Sequence, residues 1–355
     1  MNHQLIPLFL AVALIGLLGA CKKADQPQSS APRDTVAGQA GSAQTASANS
    51  KGGVLLQIKW PVGNRYVYRM DMDQHGTNHI PQLPKPMQQD VTMAMTYALS
   101  VLKETADAGR ELEMEFLANE MEVKMGDQLV LSFDSKESSK NDAQNPMAAP
   151  FRKMIGSKVR LLVGADGKVE KVVGLDEWLR TVNGDGAGPE GQMLTQQFNE
   201  GFFRQLGDFG RSLFAKPVAV GDTWPLKVEF PTGPAGKIAV DAKITLKGWE
   251  DREQHKCAIL DSRGTLKGTM GDGTGPMGKM SIDQGKITGR SWFDPELGAM
   301  IDYVSDQAIR IKGEMPGQPG GNQPAAGFTS ELGQKITVKL VELGKTSGSG
   351  ASPQQ

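Results

Sequence analysis

RYVYRMDM, residues 65–72, decides the fold class. Its even positions Tyr66, Tyr68, Met70 and Met72 are apolar, while Arg65, Arg69 and Asp71 take odd ones. A period of two is that of a strand with one buried and one wet face. The same rhythm returns through Met93, Met95, Tyr97, Leu99 and Val101, set against Ala94, Thr96, Ala98 and Ser100. Leu112, Met114 and Phe116 alternate with glutamates, and the phase then slips to Met121, Val123 and Met125, which predicts a β-bulge near residues 117–120. Farther on, Ile238, Val240, Ala242, Ile244 and Leu246 alternate with charged or polar neighbours, as do Ile336, Val338 and Leu340. These are half-buried antiparallel strands.

One stretch departs from this pattern. QMLTQQFNEGFFRQLGDFGRSLF, residues 192–214, places Leu194, Phe198, Phe202, Leu206, Phe209 and Leu213 on one helical face. Gly201, Gly207 and Gly210 weaken that helix by about 1 kcal/mol each, so packing must hold it. The chain on either side carries similar features. Trp60-Pro61-Val62-Gly63-Asn64 opens the first half and Val218-Ala219-Val220-Gly221-Asp222 the second. The expectation is a mainly β (α+β) protein of two related antiparallel β-rich units, half-barrel-like, joined by a central amphipathic helix. The units span 54–182 and 217–343, with a loop and the helix over 183–216 and a polar tail over 344–355.

Of 355 residues, 22% are charged and the formal net charge is −1, without the basic excess of a nucleic-acid binder. Residues 5–18, LIPLFLAVALIGLL, have the length of a signal-peptide core, and Leu18-Gly19-Ala20-Cys21 follows. That run resembles the bacterial lipobox, which implies removal of residues 1–20 and diacylation of Cys21. Two acyl chains hold a protein stably at a membrane where one does not. No Lys or Arg precedes the apolar core, a departure from the usual signal. Lys22, where lipoproteins retained at the inner membrane carry Asp, implies the outer membrane facing the periplasm in a Gram-negative cell. Residues 21–53 hold the lipidated cysteine and a polar linker with a typical span of roughly 30 Å.

Chemical motifs are sparse. Cys257 reads as a buried apolar residue. Met70, Met72, His75 and His79 form a conceivable copper set, although the alternation already assigns both methionines to a core. Asp71 and Asp73 share a strand face as solvated carboxylates, and Gly268 to Gly278 read as a hairpin loop. Gly344-Lys345-Thr346 lacks the first glycine of a P-loop, since position 339 is Lys. There is no G-x-S-x-G elbow and no H-E-x-x-H pair. The expectation is therefore no enzyme, no catalytic residue, no metal and no cofactor.

YVYRMDMDQ, TMAMTYALSVLKE, LSFDSK and VGADGKVEKVVGLDEW resemble a family of bacterial envelope lipoproteins carrying a domain of unknown function. The resemblance covers most of residues 60–340 and implies no particular chemistry. Methionines on the first-half strand faces suit varied apolar partners. The functional expectation is a non-enzymatic, membrane-anchored envelope lipoprotein. It binds a protein partner or an apolar ligand and no nucleic acid. The alternatives are a structural scaffold without a ligand and, after it, an enzyme of unrecognised type.

Overall fold

A computed structural model describes residues 53–81, 83–138, 148–165, 167–183, 198–207, 213, 216–231, 236–270, 279–315 and 326–346. The signal segment, Cys21, the linker and most of the tail lie outside the described residues. The strands are β1 (Asn64–His79), β2 (Met87–Glu104), β3 (Arg110–Met125), β4 (Gln128–Asp134), β5 (Lys158–Val163) and β6 (Val169–Val173). β7 (Thr223–Pro231), β8 (Lys237–Arg252), β9 (His255–Met270), β10 (Lys279–Asp294), β11 (Ala299–Met315) and β12 (Ala326–Lys345) follow. Three short helices are described: α1 (Ala148–Met154), α2 (Leu175–Asn183) and α3 (Glu200–Gly207).

All strands join one 12-stranded sheet in the order β6-β5-β3-β2-β1-β12-β11-β10-β9-β8-β7, with β4 also paired to β3. Every pairing is antiparallel. This corrects the expected two-unit α+β architecture. The first strand pairs with the last over the whole of β1, from Asn64↔Lys345 to His79↔Thr329, and fuses both halves into one sheet. The physical reason is that periodicity specifies which face of a strand is buried and leaves its neighbour open.

The central helix is corrected as well. Of residues 192–214, only Glu200–Gly207 is helical among those described, and α3 packs on β5 and β6 near one edge of the sheet. It links no two units. Leu194 and Phe209 lie outside the described residues. Phe198 precedes the helix and is buried, and Asn199 caps it by accepting the Phe202 N–H at 3.1 Å.

The expected bulge is present in β3: Thr96 faces Ala118 and Tyr97 faces Phe116, leaving Leu117 extra. On the outer face, ion pairs bridge strands, among them Lys158–Glu113, Arg290–Asp261 and Arg310–Glu331. Being exposed, each adds little stability. The edges are blunted. β7 carries Pro225 and Pro231, and the Arg204 guanidinium donates to the carbonyls of Val169 and Glu170 on the short β6.

Two apolar clusters fill the inner face. The first gathers Tyr66, Tyr68, Met70, Met72, Met95, Tyr97, Met114, Phe116 and Met121 beneath the helices. Here Phe116 meets Trp178 at 5.7 Å, Phe198 at 6.4 Å and Phe203 at 6.2 Å between ring centroids. Met70, Met72, Met95, Met114 and Met121 are thus buried in this cluster. The second cluster covers β7 to β12, from Trp224 and Leu226 to Phe328 and Leu332, with Leu56, Ile80 and Val218.

β8 approaches β10, and β9 approaches β11, more closely than the roughly 9.6 Å between next-nearest strands of a flat sheet. The sheet is therefore strongly curled there. Glycines permit the pinch. A Cβ on Gly264 would lie 2.5 Å from Ala242 Cβ, and one on Gly285 would lie 2.5 Å from Leu266 Cβ.

Candidate functional site

Where β1, β10, β11 and β12 end together, the chain turns through HIPQLPKP, residues 79–86. Prolines at 81, 84 and 86 cannot donate to a ladder, so β1 stops and the loop folds back over the strand ends. Beneath this loop lies a groove of about 770 Å³. Ile80, Leu83, Met280 and Phe328 give it apolar walls, while His79, Lys85, Lys312 and Glu314 stand at its polar parts. Phe328 is seated over Gly313, where a Cβ would come within 2.4 Å of the ring. Lys312 pairs with Asp283 at 3.0 Å.

From this groove a polar stripe runs along the inner face. Asn78, Gln89, Gln74, Gln307 and Gln334 are all at most 5% exposed. Register places Gln74 opposite Gln334 and Gln334 opposite Gln307, while Asn78 faces Ser330 and Gln89 faces Gly76. Gln334 Nε2 donates to Gln74 Oε1 at 3.4 Å and contacts Met72 Sδ at 3.1 Å. Among the described residues, Gln74 Nε2, Asn78 Oδ1 and both amide atoms of Gln89 and Gln307 have no hydrogen-bond partner. Sequence reasoning missed these residues. A signal existed, since Gln74 continues the buried phase of Tyr66, Tyr68, Met70 and Met72, and Gln334 precedes Ile336 in the same phase.

The sequence candidates separate in space. Met70 and Met72 are buried on the inner face, whereas His75 is exposed on the outer face with its Nδ1 2.7 Å from Asp90, and His79 is at the groove. That splits the copper set across the sheet. Asp71 accepts from Arg69 at 2.9 Å, and Asp73 is exposed beyond it. Most of Gly268 to Gly278 lies outside the described residues, as does Cys21. Lys345 ends β12, with its Nζ donating to Asn64 Oδ1 at 2.7 Å and Thr346 N–H donating to the Gly63 carbonyl, as a strand end does.

A second polar cluster locks the opposite end. His255 Nδ1 lies 2.8 Å from buried Asp294, whose other oxygen accepts from the Glu296 and Leu297 N–H groups. Arg252 pairs with buried Asp302 and stacks on Trp292 at 4.0 Å. Cys257 is fully buried two residues from His255, and burial pushes its thiol up to about 12. Its Sγ contacts the His255 carbonyl at 3.6 Å. A thiol so buried and so weakly acidic makes a poor nucleophile. This cluster acts as a clasp between the β8–β9 and β10–β11 hairpins.

Comparison with solved structures finds distant likenesses. A lipovitellin structure described for its lipid–protein interactions matches at a TM-score of 0.45 with 10% identity, covering 83% of this chain and 27% of that one. The chain thus spans about a quarter of the lipovitellin chain. A protein assigned as exported, with a YmcC-like fold, from Bacteroides fragilis matches at 0.21 with 9% identity, covering 78% of this chain and 97% of that one. An outer membrane channel from Pseudomonas putida matches at 0.20 with 8% identity, covering 80% and 97%. No curated protein matches the chain. Residues 107–298, more than half of the length, match the family of unknown function DUF6263, and the chain belongs to that family.

Proposed function

We propose that this is a non-enzymatic envelope protein, tethered to a membrane through diacylated Cys21, whose folded part binds an apolar or amphiphilic ligand. The observation that carries the ligand reading is the groove at the 79–86 loop. Its volume of about 770 Å³ falls within the span of small-molecule sites, and it joins apolar walls to a few polar groups. The lipobox-like run supports the tether. Lys22 supports the outer membrane, on the periplasmic side, in a Gram-negative host.

Native mass spectrometry and lipid extraction of the full chain, purified from its own host, test the ligand reading. A bound apolar molecule at near-stoichiometric amount is expected. A chain that carries nothing apolar, but retains a protein, would make it a scaffold or partner-binding lipoprotein instead.

The tether has its own test. Cys21→Ser is expected to move the protein from the membrane fraction to the soluble one, with the melting transition of the folded part unchanged. Full membrane retention of the variant would mean that something other than acylation holds the chain.

A further inference from the structure

We infer that the buried amide stripe of Gln74, Gln89, Gln307 and Gln334 with Asn78 is an internal site for the uncharged polar group of a long-chain amphiphile: an ester, amide or hydroxyl. The inference rests on the ligand-carrying reading above and specifies the ligand's chemistry.

These side chains stand where the strand pattern calls for apolar ones. Along β1 the inward positions run Tyr66, Tyr68, Met70, Met72, then Gln74 and Asn78. Along β12 they run Leu340, Val338, Ile336, then Gln334, with Ser330 two steps past Leu332. The change to amides occurs at matched positions on adjacent strands, so the register gathers them into one band across β2, β1, β12 and β11.

The band is only partly used within the protein. Asn78 Nδ2 donates to the Met87 carbonyl at 3.5 Å and Gln334 Nε2 to Gln74, yet Gln89 and Gln307 have neither amide atom engaged. Gln74 and Gln89 are 1% exposed and Gln307 is 4% exposed, so bulk water does not reach them. Buried polar atoms in native proteins are nearly always satisfied, so these amides call for ordered water or for a guest with both donors and acceptors, and the groove beside them supplies a route for the guest.

The guest's polar group is uncharged. Among the described residues, the buried charged side chains are Glu111, Asp294 and Asp302, and none belongs to this band. The neighbouring charges Asp73, Glu331, Lys335 and Asp306 occupy the alternate, outward positions of the same strands. A carboxylate or phosphate would find no counter-charge there, whereas amides pair well with neutral carbonyl and hydroxyl groups. The flanks are apolar, with Val91, Leu332 and Ile309 buried beside the amides.

The band begins one inward position beyond the groove lining. Ile80 and Phe328 line the groove, and the next inward positions are Asn78 and Ser330. At about 3.3 Å per residue, Gln74 lies roughly 20 Å along β1 from Ile80, the length of an extended long acyl chain.

The test uses the full chain carrying Cys21→Ser, so that no detergent competes, with nitrogen-15 glutamine. Titration with monoolein is expected to shift the side-chain amide signals of Gln74 and Gln307, and hexadecane to leave them in place. The variant Gln74→Leu with Gln307→Leu is expected to bind monoolein about tenfold more weakly, with hexadecane binding and the melting midpoint retained. Unshifted amide signals in the wild-type chain, or equal monoolein affinity in a folded variant, would overturn the inference: the band would then hold water, and the groove would remain a ligand site. Failure of the wild-type chain to bind either probe would overturn the carrier reading along with it. The amide signals are read on the Cys21→Ser chain with its amide band intact, so a glutamine variant that fails to fold leaves the test decisive.

Discussion

Phe202→Asp is expected to unfold the helix-covered part of the protein. Phe202 is 4% exposed, and its ring lies 5.0 Å from Phe198 and 5.3 Å from Phe203. Those rings continue to Trp178 and Phe116, so the site is the middle of an aromatic chain fastening α3 to the sheet. Truncation in Phe202→Ala removes the buried ring and leaves a cavity, at a cost of about 3–5 kcal/mol. For a domain of this size that lowers the melting midpoint by roughly 10 °C. Aspartate adds the burial of a carboxylate with no cation among its ring neighbours, a larger penalty again. Thermal melts of the Cys21→Ser chain read both changes. A midpoint unmoved by Phe202→Asp would show α3 to be a mobile element and refute its packing.

Gly264→Val is expected to be similarly disruptive at the other end of the sheet. Directly opposed Cβ atoms on antiparallel strands normally sit about 4.5–5.5 Å apart. A Cβ at 264 would lie 2.5 Å from Ala242 Cβ and 2.4 Å from the Asp241 carbonyl oxygen. Neither obstacle is the far end of a flexible side chain. β9 must move away from β8 and open the curl, which costs about 3 kcal/mol. Adding Ala242→Gly removes the Ala242 Cβ and leaves the Asp241 oxygen and the Cα of residue 242 at 2.6 Å, so the double variant is expected to melt above Gly264→Val alone but below the wild-type chain. Wild-type melting of Gly264→Val would mean that the strands are not pinched there.

Several features were legible in the residues themselves. The phase of β1, β2, β3, β8 and β12 follows from alternation alone, and so does the bulge, because an extra residue inverts the phase from Phe116 to Met121. Burial of Phe198 and Phe202 agrees with the apolar stripe. The buried amides were visible as breaks in the apolar phase, but only their alignment across four strands makes them a band.

Strand character, facing and the lack of a recognisable catalytic motif were determined by the sequence alone, since each depends on neighbours two to four residues apart. Tertiary structure decided the rest. Pairing of β1 with β12 joins residues that alternation cannot relate, and turns two apparent units into one sheet. The same pairing sets Gln74 beside Gln334, and β11 adds Gln307. The separation of Met70 and Met72 from His75, by contrast, is local to β1, because successive side chains of a strand point to opposite faces. Facing is a local property of the backbone, fixed within a few residues, whereas the choice of neighbour is settled by contacts between segments far apart in the chain.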